Sequence, residues 1–141
     1  MILAQFEIDY MAKPKNSRKA VPVKGKWRIV DDQKTVDNAH NLAFCCINYA
    51  PKKPFEGPLR VTYQFREPWR KLDLAKIRRG KLISNRRIGR SDLGNLDKQM
   101  DDVLERCGFY RNDNQITSRG VGHGKRWADQ GGVSITIERD E

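Results

Sequence analysis

Between Leu93 and Gly108 the apolar residues keep one spacing. Leu93, Leu96, Met100, Val103, Leu104 and Cys107 recur at i, i+3, i+4 and i+7, the period of an α-helix that buries a single stripe. Gly108 then stands where a helix closes in the left-handed conformation. A helix this one-sided needs an apolar surface to lie on, and strands supply it. In Met1–Tyr10, Ile2, Ala4, Phe6, Ile8 and Tyr10 alternate with Gln5, Glu7 and Asp9. From Leu59 to Arg66, Leu59, Val61, Tyr63 and Phe65 alternate with Arg60, Thr62, Gln64 and Arg66. Gln115 to about Val121 and Val133 to Glu138 read as two closing strands. A second helical run from Asp32 to about Tyr49 takes Asp32 as N-cap and ends at Pro51. GVGHGKRW reads as a turn or hairpin region. The order β-α-β-α-β-β predicts an α+β fold, a mixed β-sheet packed against two helices. Every element is needed to close one core, so residues 1–141 form a single domain.

Composition narrows the class. The chain has 38% hydrophobic residues, too many for a disordered tail. No apolar run is long enough to span a membrane, and the first residues lack the pattern of a signal peptide. Cys45, Cys46 and Cys107 form neither a disulfide framework nor a zinc spacing, which favours a reducing cytosol. His40 and His123 are too few for a histidine metal cage. Cys45, Cys46 and His40 read as helix packing.

The net charge of +10 is unevenly placed. The loop 11–30 holds Lys13, Lys15, Arg18, Lys19, Lys24, Lys26 and Arg28 with no acid, around a short strand near Val21–Val23. The insertion 69–90 holds Arg70, Lys71, Lys76, Arg78, Arg79, Lys81, Arg86, Arg87 and Arg90 against Asp73, with one helical turn around Leu72–Ile77. Such clusters attract a phosphate backbone by counterion release. Six acids (Asp92, Asp97, Asp101, Asp102, Glu105 and Asp113) follow within 22 residues. Carboxylates repel phosphates unless a metal sits between.

Arg90–Ile116 therefore carries the chemistry. Asp92 and Gly94 open the helix, where backbone N–H groups favour anions, and Asp113 follows its return loop. Two such acids suit a hard cation, with Lys98 one turn on to offset phosphate charge. The same residues also describe a capped surface helix, with Asp92 as N-cap, a Lys98–Asp102 ion pair and Asp113 in a turn.

The segment resembles the RusA family of Holliday junction resolvases. Their signature, roughly D-L-D-N-L-x-K, a helix, then D-D-x-Q-V, is matched by Asp92-Leu93-Gly94-Asn95-Leu96-Asp97-Lys98 and Asn112-Asp113-Asn114-Gln115-Ile116. Gly108-Phe109 between the halves fits, as does a basic residue near Lys125 or Arg126 before a final strand. The resemblance implies a homodimeric, Mg²⁺-dependent endodeoxyribonuclease (Mn²⁺ an alternative) that resolves four-way DNA junctions by paired nicking in recombination and repair. It implies a cytoplasmic protein of bacterial or phage origin. By position, Asp92 and Asp113 are the metal ligands and Lys98 is the catalytic lysine. Lys13, Lys15, Arg18, Lys19, Arg78, Arg79, Arg86, Arg87 and Arg90 would hold the DNA. Gly94 departs from the motif, where the family has its second aspartate, and Asn112 replaces the first acid of the D-D pair. Asp97 and Asp101 are nearby but poor substitutes. An alternative is a non-catalytic junction- or DNA-binding protein on the same fold. A third reading is an RNA-binding protein that stacks bases on Trp27, Trp69, Tyr110 and Trp127.

Overall fold

The computed structural model describes residues 1–12, 19–30, 33–81, 83–86 and 92–141. Strands β1 (Ile2–Ile8), β2 (Lys19–Val23) and β3 (Lys26–Val30) precede helix α1 (Gln33–Cys46). Strand β4 (Leu59–Pro68) is followed by helices α2 (Lys71–Arg78) and α3 (Leu93–Cys107), then by β5 (Ile116–Ser118), β6 (Gly124–Ala128) and β7 (Gly132–Arg139). Single 3₁₀ turns follow α1 at Ile47–Tyr49 and precede β5 at Asp113–Gln115. The expected α+β fold with a mixed sheet is present, with a third helix.

β4 organises the sheet. It pairs antiparallel with β7, which pairs antiparallel with β1. On its other side it pairs in parallel with β5 near its start and with β6 near its end. Side chains alternate across the pleat, so Phe6, Ile135 and Tyr63 form one cross-strand row and Ile8, Val133 and Phe65 another. Both rows are buried. α3 lays Leu96, Met100, Val103 and Leu104 on this face, and α1 adds Leu42 and Cys46. Covering one face with helices leaves the other to Arg60, Thr62, Gln64 and Arg66 of β4.

α3 is built as its sequence predicts. The Asp92 carboxylate accepts the Gly94 N–H at 2.8 Å and caps the first turn. At the far end Gly108 has φ 88, its N–H reaches the Glu105 carbonyl, and Phe109 N–H reaches that of Leu104, the paired closure of a Schellman motif. α1 begins at Gln33, and the expected cap Asp32 lies outside the described residues.

Three expectations need correction. The loop 11–30 contains a full hairpin, β2–β3, which turns at Lys24 (φ 49) and Gly25 (φ 76). Two successive positive φ angles are the type I′ geometry that matches strand twist. The single turn at Leu72–Ile77 is a two-turn helix whose buried residue is Asp73, bonded by Arg70 Nε at 2.8 Å, while Leu72 and Ile77 are exposed. Its apolar pattern points the wrong way for sequence reading. GVGHGKRW, read as a turn or hairpin region, holds in its second half β6, which pairs in parallel with β4.

Candidate active site

Asp92, Gly94 and Lys98 are exposed on the first turns of α3. Asp113 stands at the other end, its N–H donating to Glu105 Oε1 at 3.0 Å. Its loop is held rigidly. The Asn112 side chain accepts the Asn114 N–H, while Gln115 Oε1 accepts the N–H groups of Arg111 and Asn112. Gln115 Nε2 donates to the carbonyls of Phe55 and Gly57. Asn112 is thus a cap, a task asparagine and aspartate perform about equally.

One chain does not bring Asp92 and Asp113 together. The 15-residue helix α3 lies between them, and at 1.5 Å per residue it holds its ends about 20 Å apart. No single cation spans that gap. Among the described residues no three His, Cys, Asp or Glu side chains cluster to hold a metal ion. The expectation that one chain folds these two acids around a shared cation is therefore corrected: the return loop closes on the last turn of α3, not the first.

A second acidic border of α3 faces the sheet. His123 Nδ1 accepts the Tyr63 N–H at 2.9 Å, and its Nε2 lies 2.8 Å from Asp97 Oδ2. An Nδ1 that accepts leaves the ring's proton on Nε2, directed at Asp97. One turn on, Asp101 receives Arg119 at both carboxylate oxygens (2.7 and 3.1 Å) and the Tyr63 hydroxyl at 2.7 Å. The Tyr110 hydroxyl donates to the Asp101 carbonyl. Burial first, then neighbouring Tyr110 and the Asp101 carboxylate, pushes the Tyr63 phenol well up. Burial likewise raises Tyr110. These hydroxyls remain donors throughout the working pH range. Asp97 and Asp101 are thus engaged by His123 and Arg119 and do not replace the acid missing at Gly94. Sequence reading missed this network because His123 and Arg119 reach α3 from a glycine-rich loop far along the chain.

Of the expected DNA-binding residues, Arg78, Arg79 and Arg86 are exposed. Lys19 lies on β2. Lys13, Lys15, Arg18, Arg87 and Arg90 lie outside the described residues. The aromatics separate. Tyr110 is buried, and Trp69 stacks on Trp127 with ring centroids 6.3 Å apart beneath Arg70. Trp27, on the basic hairpin, is 74% exposed. No helix among the described residues is long and apolar enough to cross a membrane.

Asp92 and Lys98 at the start of α3, with Asp113 beyond its end, are thus carried on a helix packed against a mixed sheet. Comparison with known proteins makes the class specific. The profile of the family described as Endodeoxyribonuclease RusA matches residues 9–138, and the chain belongs to that family. It is 28% identical over 114 residues to a crossover junction endodeoxyribonuclease rusA of Lactococcus phage r1t, covering 79% of each chain. At family level the protein is an endodeoxyribonuclease.

Proposed function

We propose that this protein is a homodimeric endodeoxyribonuclease that resolves four-way DNA junctions by paired nicking, in recombination and repair within a cytoplasm. The observation that carries the reading is the placement of the motif residues: Asp92 and Lys98, both exposed, at one end of α3, and Asp113 at the other. A two-fold axis across α3 would set two such helices antiparallel. Asp92 would then meet the partner subunit's Asp113, and the same contact would recur at the opposite end, because a two-fold interface is isologous. Each site would need both subunits, and the two sites would face two opposing strands of a junction.

Carboxylate oxygens are the donors Mg²⁺ prefers, and Mn²⁺ accepts them too. A cation held there would supply charge for phosphodiester hydrolysis. Lys98, exposed and one turn past Gly94, offsets negative charge on the reacting phosphate. Lys13, Lys15, Arg18, Lys19, Arg78, Arg79, Arg86, Arg87 and Arg90 hold the DNA arms by backbone contacts, which read shape rather than sequence.

A subunit-mixing assay tests this in a Gly94→Asp background, which restores the family's aspartate. Asp92→Asn and Asp113→Asn homodimers should each be inactive. Mixed in equal amounts, they should regain nicking at about a quarter of the sites, because half the dimers then hold one intact site. No regain, from a Gly94→Asp parent that cleaves, would sink the shared-site reading. A parent inactive on junctions with either ion would favour the second reading, a junction-binding protein that does not cut, for which the missing carboxylate at Gly94 is the specific support.

A further inference from the structure

The face of the sheet turned away from the core carries three like charges side by side. Arg66 on β4 is in register with Arg126 on β6, and Arg126 forms an isolated antiparallel bridge with Arg86. Paired residues on adjacent strands project from the same face, and such strands lie about 5 Å apart. Three guanidinium groups thus leave one face in a row, where like charges repel.

Among the described residues, little offsets the charge of Arg66 and Arg126. Glu7 is 3.8 Å from Arg66 Nη1 and is itself 68% exposed. Arg66 Nε is buried and has no hydrogen-bond partner among the described residues. Arg126 Nη1 donates to the Lys125 carbonyl, a neutral acceptor. Burial, with the neighbouring charge of Arg86, lowers the affinity of Arg126 for its proton.

The backbone makes room for the row. A Cβ at Gly124 would stand 2.7 Å from Arg126 Nη1, and one at Gly132 would meet the Ile8 carbonyl oxygen first and then Arg66 Nη2 at 3.0 Å. Both glycines have φ 153. The two guanidinium groups lie over positions that carry no side chain. An arrangement that is repulsive when empty becomes favourable once an anion sits between the charges, and guanidinium forks match phosphate oxygens.

We infer that Arg66, Arg126 and Arg86 form a phosphate-binding row that holds the backbone of the DNA strand leading to Asp92. Arg86 and Asp92 are six residues apart in the chain, a reach of at most about 20 Å. The choice of DNA as ligand rests on the nuclease reading; the anion site itself does not.

Two measurements test the row in the full-length protein. The first is the affinity for a labelled four-way junction across a salt series, for wild type, Arg126→Gln, Arg66→Gln and Arg126→Lys. Arg126→Gln and Arg66→Gln should each weaken binding about tenfold and flatten the log–log salt slope by about 1. Arg126→Lys should keep the slope and lose part of the affinity, because the charge remains while the fork is gone. The second is thermal unfolding with and without tripolyphosphate. Without the anion, Arg126→Gln should unfold no earlier than wild type. With it, wild type should gain more than either glutamine variant. Wild-type affinity and slope in both glutamine variants would overturn the inference. Should wild type bind no junction, the nuclease reading fails by itself and tripolyphosphate decides the row: selective stabilisation of wild type upholds an anion site, and equal shifts in all variants dismiss it.

Discussion

Arg119 grips Asp101 by both carboxylate oxygens, at 2.7 and 3.1 Å, and so fastens the loop after β5 to the middle of α3. Asp101 also accepts the Tyr63 hydroxyl, so one largely buried carboxylate ties helix, loop and central strand together. Removing Arg119 leaves that charge without its counter-ion. Arg119→Ala should destabilise the fold by about 3 kcal/mol, measured by urea unfolding. Asp101→Asn, which keeps an acceptor for Tyr63, should lose less than Asp101→Ala. An Arg119→Ala variant as stable as wild type would contradict the network.

Gly94 is the position where chemistry and helix geometry meet. A Cβ there would lie 3.3 Å from Asp92 Oδ1, so a side chain fits after a small adjustment of the cap. An acid in the first turn also suits the helix dipole. Gly94→Asp should raise Mg²⁺-dependent junction nicking at least about tenfold without lowering Tm. In that background Lys98→Ala should reduce nicking about 100-fold with Tm unchanged, because Lys98 is exposed. Gel assays of nicked junctions check both.

Asn112 should prove structural. Its side chain accepts the Asn114 N–H, and its N–H is held by Gln115. Losing such a cap costs about 1 kcal/mol, so Asn112→Ala should lower stability by that amount while Asn112→Asp stays near wild type. Equal losses in the two variants would exclude the capping role.

Asp140 makes stability respond to acid. Hydrogen bonds from Thr117 and Ser118, together with Arg60, hold its carboxyl below the ordinary value of 3.8. A carboxyl with a lowered folded pKa stabilises the fold fully above its unfolded pKa, and that contribution is lost as pH falls through the folded value. Thr117→Ala removes a 2.6 Å bond to Oδ2. Its Tm deficit should be constant from about pH 5 to about pH 7 and should shrink below 3.8. A deficit that grows on acidification would reverse the assignment.

Cysteine chemistry should follow burial. Cys46 is fully buried, and desolvation with the nearby Cys107 and Cys45 pushes its thiol up to about 12. Only thiolate alkylates efficiently. Iodoacetamide at about pH 8 should therefore modify half-buried Cys45 and spare Cys46 until the protein is unfolded, as peptide mass mapping would show.

What the sequence by itself determined was local. The period of Leu93–Cys107, its capping aspartate and its closing glycine define α3 from neighbouring residues alone, and the alternation of β1, β4 and β7 names the core face of the sheet. The spaced motif pointed to the family for the same reason: its residues sit on one helix and the loop that follows. The tertiary structure decided everything that depends on which distant segments meet. β6 has little apolar alternation, and its place beside β4 comes from pairing across some 60 residues. α2 hides an aspartate instead of its leucines. The row of Arg66, Arg126 and Arg86 exists only in the register of strands, and the grip of Arg119 and His123 on α3 only in the path of one loop. The separation of Asp92 from Asp113 is likewise decided in three dimensions, because a helix is a rigid spacer and the loop beyond it chose the near end.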